Sequence, residues 1–475
     1  MSNMLTDPTK PKLTQIVSII ALLIFLPILL IGAQELVSLV SKASGTPANI
    51  VVDTKSLREV LSLDFYHAFA QGGEESTDMI KPVVSEVRTL KPKLICIDHI
   101  YDSYNVVGKS GDQINFDWSK LDGAVDSIIA TGAKPCLSLS YMPQPIAQNG
   151  NIVNPPTNWN DWSYVVQKTI EHYSGKGNRN MNGIYYEVWN EPDLPQFGGW
   201  KYYGAKNYIT LYQYASNGAR NATGVNAFYL GGPVTTGLYQ PWIQAIVTSG
   251  ARLDFFAWHT YANDPLKFSQ DQLNITTWLN PYPNYILLPK IITEFGFTGD
   301  KSSLYGANYA AAFTAATIRQ LLSNGITYAL SFELKDGPKQ EAGDGWGLIT
   351  NENNGKKLKP RYYVYSCLDQ MAGQRVLLTG EGTWVTGFAS QKNNTTSVML
   401  VNYDQNGTHT EAVPLTFGNL DPGTYTYSQK YCIGAGTNIT TTETASASGI
   451  IQKTILMHPS SVAIFKISKT AAANP

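Results

Sequence analysis

Residues 183–193 read Gly-Ile-Tyr-Tyr-Glu-Val-Trp-Asn-Glu-Pro-Asp. Aromatic and β-branched residues dominate the first seven positions, the composition of a strand. Asn190-Glu191-Pro192 then ends it, because proline removes a backbone donor and biases the residue before it towards extended backbone. The product is a short apolar strand with a carboxylate at its exit. Residues 290–296, Lys-Ile-Ile-Thr-Glu-Phe-Gly, repeat the pattern, with Glu294 at the exit.

Similar runs lie on both sides. Short apolar segments at 61–65, 93–98, 134–140, 183–189, 228–232, 255–259, 290–293 and 328–332 alternate with amphipathic stretches such as 79–90, 121–131, 162–173, 208–222 and 307–323. This alternation predicts βα units on a parallel sheet. Eight repeats across residues 59–372 are the count and size of a (β/α)8 TIM barrel. An open doubly wound sheet is the alternative, but no glycine-rich phosphate loop follows the first run. Beyond residue 373 helical periodicity stops. Runs at 397–403, 423–427 and 461–467 alternate apolar and polar residues between Gly, Asn and Pro turns. They predict a β-sandwich over 373–468, with 437–449 as an exposed loop and 469–475 as a tail.

The amino-terminal end has a different chemistry. Residues 13–34 hold no charge and reach the span of a bilayer core. Lys10 and Lys12 precede the span and Glu35 follows it. That bias predicts a transmembrane signal anchor with residues 1–12 in the cytoplasm and the remainder outside; cleavage after a small-residue pair is the alternative. Residues 35–58 read as a linker. The chain is therefore expected to be α/β, a barrel with a C-terminal β-sandwich and an N-terminal transmembrane helix.

Composition excludes some classes. A formal net charge of −1 offers no basic surface for nucleic acid. The four cysteines, Cys96, Cys136, Cys367 and Cys432, lack metal-finger spacing. No metal and no cofactor are expected. Cys96 and Cys136 read as buried free thiols on neighbouring strands, with a disulfide as the alternative in an oxidising compartment. Oligomeric state is not legible.

Active sites of such barrels lie where strands end, so residues closing each strand are the candidates. Glu191 closes the fourth run and Glu294 the seventh. Two facing carboxylates are what glycoside hydrolysis requires, one to protonate the leaving oxygen and one to attack the anomeric carbon. The pattern Asn190-Glu191-Pro192 with Glu294 resembles clan A glycoside hydrolases. Residues 185–193, 230–233, 254–261, 291–296 and 346–363 (YYEVWNEPD, LGGP, DFFAWHTY, IITEFG and WGLITNENNGKKLKPRYY) are similar, in order, to glycoside hydrolase family 39.

The resemblance implies a retaining O-glycosyl hydrolase with Glu191 as acid/base and Glu294 as nucleophile. It assigns Asn190 to the sugar 2-hydroxyl, and His259 and Tyr261 to the pocket, with Tyr261 orienting Glu294. Asp98, His99 and Glu333 are further sugar-contact candidates; Glu187 reads as part of an internal ion pair. Two family features are missing: Cys96 stands where relatives carry a second-strand Arg, and residues 328–333 lack the eighth-strand Trp. The expected partner is a cell-surface or secreted polysaccharide or oligosaccharide, with the membrane as support. Competing readings are a non-catalytic carbohydrate-binding envelope protein on the same fold, or another clan A activity such as endoglucanase or arabinofuranosidase.

Overall fold

A computed structural model describes residues 45–322, 325–339 and 344–470. The expected anchor, its cytoplasmic flank and most of the tail lie outside these residues. Among the described residues no helix is long and apolar enough to cross a membrane.

Strand β1 (Ile50–Val60) opens the described chain. The barrel then runs through β2 (Ala68–Gln71) and β3 (Leu94–Ile97), a hairpin of β4 (Val107–Ser110) and β5 (Gln113–Phe116), and β6 (Lys134–Leu139), β7 (Ile184–Val188), β8 (Phe228–Thr235), β9 (Phe255–Tyr261), β10 (Lys290–Gly296) and β11 (Tyr328–Phe332). Eight of these, excluding the hairpin, pair in parallel, and β11 closes on β2. Strands such as Leu94–Ile97 and Ile184–Val188 are buried at every position, as expected where helices cover one face and the barrel interior the other. The interior is packed by small Ala68, Ala70 and Ala257 against large Tyr185, Phe255 and Leu330. The rings of Tyr185 and Phe255 lie 5.2 Å apart. The middle is solid, so chemistry is confined to the strand exits.

The first barrel strand differs from the sequence reading. Residues 64–66 form a 3-10 turn, and the strand is the later Ala68–Gln71. Four residues buried on both faces show no alternation, and the apolar run just before them offers a stronger but wrong pattern.

The carboxyl-terminal strands are β12 (Gln374–Thr379), β13 (Val385–Lys392), β14 (Thr395–Asn402), β15 (Glu411–Gly418), β16 (Gly423–Ile433), β17 (Ile439–Ala445), β18 (Ile451–Met457) and β19 (Ser461–Lys469). With β1 they make one nine-stranded sheet in the order β17-β16-β19-β14-β13-β12-β1-β15-β18. All nine strands contribute to one apolar core, and the edge strands β17 and β18 approach each other, so the sheet curls over itself. Two expectations are corrected here. Residues 50–58, read as linker, belong to β1, where Ile50 and Val52 are buried between β12 and β15. Residues 439–445, read as an exposed loop, form the solvated strand β17.

Both cysteine pairs are disulfides, Cys96–Cys136 and Cys367–Cys432. The free-thiol reading is thus corrected: Cys96 and Cys136 are direct partners in the β3/β6 register, so their side chains meet on one face. Cys367, on the helix Pro360–Leu368, is joined to Cys432 of β16 and ties barrel to sheet. Tyr309 Oη, 2.9 Å from Tyr403 Oη, and the bidentate Arg319–Glu381 pair reinforce that junction. The Cys367–Cys432 bridge spans 65 residues, and loop closure of that length corresponds to about 4 kcal/mol. Thermal unfolding should therefore begin several degrees lower in Cys432→Ser than in the oxidised parent. Equal midpoints without reductant would show that the bridge adds nothing to the junction.

Candidate active site

Glu191 leaves the end of β7 on a distorted backbone. Trp189 and Glu191 both adopt positive φ, 73° and 42°, conformations that cost side-chain-bearing residues energy and collect at functional sites. Packing holds this shape. Trp189 is fully buried against Tyr141 and Trp200, and its indole donates to Phe197 O over 2.9 Å. Glu191 N donates to Val234 O over 3.0 Å.

Glu294 is aimed by a bulge. In the β9/β10 pairing Ile292 opposes Trp258 but Glu294 opposes His259, so Thr293 is the extra residue. Bulges re-aim side chains in this way beside active sites. Glu294 thus faces the ring its own register brings alongside.

His259 lies between the two acids. Its Nδ1 is 2.9 Å from Glu191 Oε1 and 3.4 Å from Glu294 Oε2. These three atoms all lie within 4.8 Å of one another, close to the roughly 5–5.5 Å carboxyl separation of retaining glycosidases. Burial opposes charge on His259, but Glu294 and Glu191 outweigh it and push the ring up to about 9. Burial, with Glu191 and Asp98 nearby, pushes Glu294 upward, while His259 and the Tyr261 hydroxyl pull against it. Tyr261 Oη donates to Glu294 Oε2 over 2.7 Å. Among the described residues, His259 is the one cation within ion-pair distance of either acid. The trio also has the spacing of a three-ligand metal site.

The remaining candidates surround this trio. Asn190 is buried, and its Nδ2 donates to Asp98 Oδ2 and Tyr141 Oη, each at 3.3 Å. His99 Nδ1 lies 2.7 Å from Asp102, and its Nε2 is 3.8 Å from Asp98. Burial opposes charge on His99, but Asp98 and Asp102 hold it up at about 9. Gln71 Nε2 donates to Glu333 Oε2 over 2.7 Å. Asp98 Oδ1, Glu333 Oε1 and His259 Nε2 are buried without a hydrogen-bond partner among the described residues. Among the described residues Glu187 has no ion-pair partner; Ser138 Oγ donates to it over 2.7 Å, and burial pushes it up to about 7.

Sequence reasoning missed Glu74 and Tyr141. Glu74 hydrogen-bonds Glu333 and is pushed upward by burial. It sits three residues beyond β2, so placing the first strand at 61–65 hid it. Tyr141 follows β6 by two residues, one step past the segment 134–140 read from the sequence. The absent eighth-strand Trp has a neighbouring counterpart: Trp346 packs 5.7 Å from Phe332, whose ring is 6.4 Å from Tyr261.

Residues 90–276 match the family model of glycosyl hydrolases family 39. A beta-xylosidase of Caldicellulosiruptor saccharolyticus is 25% identical over 339 residues, covering 63% of this chain and 66% of that protein. One of Geobacillus stearothermophilus is 24% identical over 324 residues, covering 59% and 61%. The chain thus matches slightly less than two thirds of the length of either relative. Among solved structures, a monomeric beta-xylosidase from Caulobacter crescentus superposes with TM-score 0.72 at 17% identity, covering 89% of this chain and 100% of that one. A family 39 enzyme from Xanthomonas axonopodis pv. citri gives 0.71 at 16%, covering 90% and 98%. At these identities the structures share the fold.

Proposed function

We propose that this chain, whose residues 90–276 match the model of glycosyl hydrolases family 39, is a retaining glycosidase that acts on a polysaccharide or oligosaccharide outside the cell. The observation that carries the reading is the Glu191–His259–Glu294 cluster, with the three facing atoms inside 4.8 Å. A gap that small admits double displacement and leaves no room for the water of an inverting mechanism.

Glu294, held by Tyr261, attacks the anomeric carbon while Glu191 protonates the departing oxygen. The glycosyl ester on Glu294 is then hydrolysed by a water that Glu191 deprotonates. Asn190 offers its amide to the sugar 2-hydroxyl. The unpaired oxygens of Asp98 and Glu333 are acceptors for other hydroxyls, since buried polar atoms need partners. Where the resemblance implies a second-strand Arg, this chain has Cys96 in its disulfide, and the group facing both acids is His259. A non-catalytic reading leans on that missing Arg, and the intact Glu191–Glu294 pair favours catalysis over it. The similarity to beta-xylosidases favours a neutral glycone of that kind.

Residues 13–34 would anchor the enzyme with the barrel outside. Two disulfides support an oxidising compartment. Screening the purified protein on aryl glycosides and on neutral oligosaccharides, with Glu294→Gln as blank, tests the activity. Turnover in the parent alone is expected, and equal product from both would refute it. Protease treatment of intact cells tests the location: the barrel should be digested along with an external control, and its survival would reverse the orientation.

A further inference from the structure

A groove of about 1000 Å³ lies away from the carboxylates, between the barrel flank and the carboxyl-terminal sheet. At one end it begins at Asp264, three residues beyond Tyr261, so at most about 11 Å of chain separates it from the residue that holds Glu294. The helix Asn308–Leu321 lines it with Ala316, Arg319 and Gln320. The opposite wall comes from residues 381–386 and 403–410 of the sheet.

Three features say what fits. The first is a fixed aromatic platform. Half-buried Trp384 packs on His409 with ring centroids 4.0 Å apart and planes tilted by 32°, and His409 is held by Glu411 at 2.9 Å. The second is rigidity of the wall. Asp404 accepts from the backbone of Asn406, Thr408 and His409, and Tyr403 Oη donates to Asn263 O over 2.7 Å, which pins the sheet loop to the loop after β9. The third is charge. Arg319 is neutralised by Glu381, leaving Asp264 and Asp404 to set a negative local field. An indole face with surrounding hydroxyls, amides and carboxylates matches a sugar ring, apolar on its faces and hydroxylated at its edge. The same field repels uronates and phosphates.

We propose that this groove is a second glycan-binding site, which holds a neutral polysaccharide chain on Trp384 beside the catalytic rim. The inference deepens the reading of the protein as a glycosidase with a polymeric substrate, and rests on it. Its effect is to retain the chain near Glu191 and Glu294 between cleavages, raising the local concentration of cleavable ends.

Affinity electrophoresis of the full-chain Glu294→Gln protein reads binding without turnover. The gels carry xylan, mannan or a neutral β-glucan, with polygalacturonate as the anionic counterpart. At least one neutral polymer should retard the protein, and polygalacturonate should not. Adding Trp384→Ala should weaken that binding about fivefold or more, and Trp384→Phe should restore most of it. With Glu294 intact, Trp384→Ala should keep its turnover of a small aryl glycoside, which reports the fold. No retardation of the parent, equal retardation of Trp384→Ala, or equal retardation by polygalacturonate would each overturn the second site. So would parallel loss of aryl-glycoside turnover in both Trp384 variants, because the ring would then serve the fold. If the parent cleaves nothing, the glycosidase reading fails while the gels still decide the groove.

Discussion

Replacing Glu294 by Ala should lower kcat by more than about 10⁴-fold, about 5.4 kcal/mol of transition-state stabilisation at 1.36 kcal/mol per decade. Without that carboxylate no glycosyl-enzyme forms, and His259 and Tyr261 lose the anion they surround. Glu191→Ala should differ in kind. Loss of an acid/base group costs about 10²–10⁴-fold, and the cost depends on the leaving group. A dinitrophenyl glycoside departs without protonation, so its first step should survive, and azide should restore turnover by replacing the deprotonated water. Steady-state rates on aryl glycosides of graded leaving-group acidity separate the two cases. Equal losses from both substitutions, unrescued by azide, would contradict the assigned roles.

The second large effect is expected at His259. It is buried, and it shares Nδ1 between Glu191 and Glu294. Removing one member of a buried charge pair costs about 3–5 kcal/mol, because the remaining charge is left uncompensated. His259→Asn keeps a polar side chain but no cation, and should lower kcat/KM by about 10²-fold or more. The pH profile identifies the cause. In the parent, activity should fall on the alkaline side as pH rises through about 9, where His259 loses its proton. In the Asn variant Glu294 binds its proton more tightly, so the acidic limb should move to higher pH. Stability follows the same sign. The folded value lies above the ordinary 6.5, so the contribution of His259 is complete below that pH and is lost as pH rises through about 9. Superimposable profiles for parent and variant would deny His259 its electrostatic role.

What the sequence disclosed follows from where the determining interactions lie. Glu191 and Glu294 are legible because local features make them so: an apolar strand, a proline or glycine stop, and a carboxylate at the exit. Seven of the barrel strands are legible at least as apolar runs. Ala68–Gln71 is not, since its four residues are too few to show a period and the turn-forming residues 64–66 sit beside a misleading apolar run. Glu74 was lost with it. Strand β1 was hidden for another reason. Its partners in β12 and β15 are more than 300 residues away, as in Val52 opposite Leu378, and the segment before it is rich in Ser, Gly, Thr and Pro. The Cys96–Cys136 bridge depended on register, which places those two residues directly opposite and which composition does not encode. The His259 bridge likewise depends on a bulge at Thr293 and a fold-wide juxtaposition of β7, β9 and β10.

The central claim is that Glu294 and Glu191 act by double displacement. Proton NMR of the sugar first released from an aryl glycoside, recorded before mutarotation, tests it most directly. The account predicts that the first product has the anomeric configuration of the substrate, because two inversions at the same carbon restore it. A first product of opposite configuration would mean a single displacement by water, and would contradict the role given to Glu294.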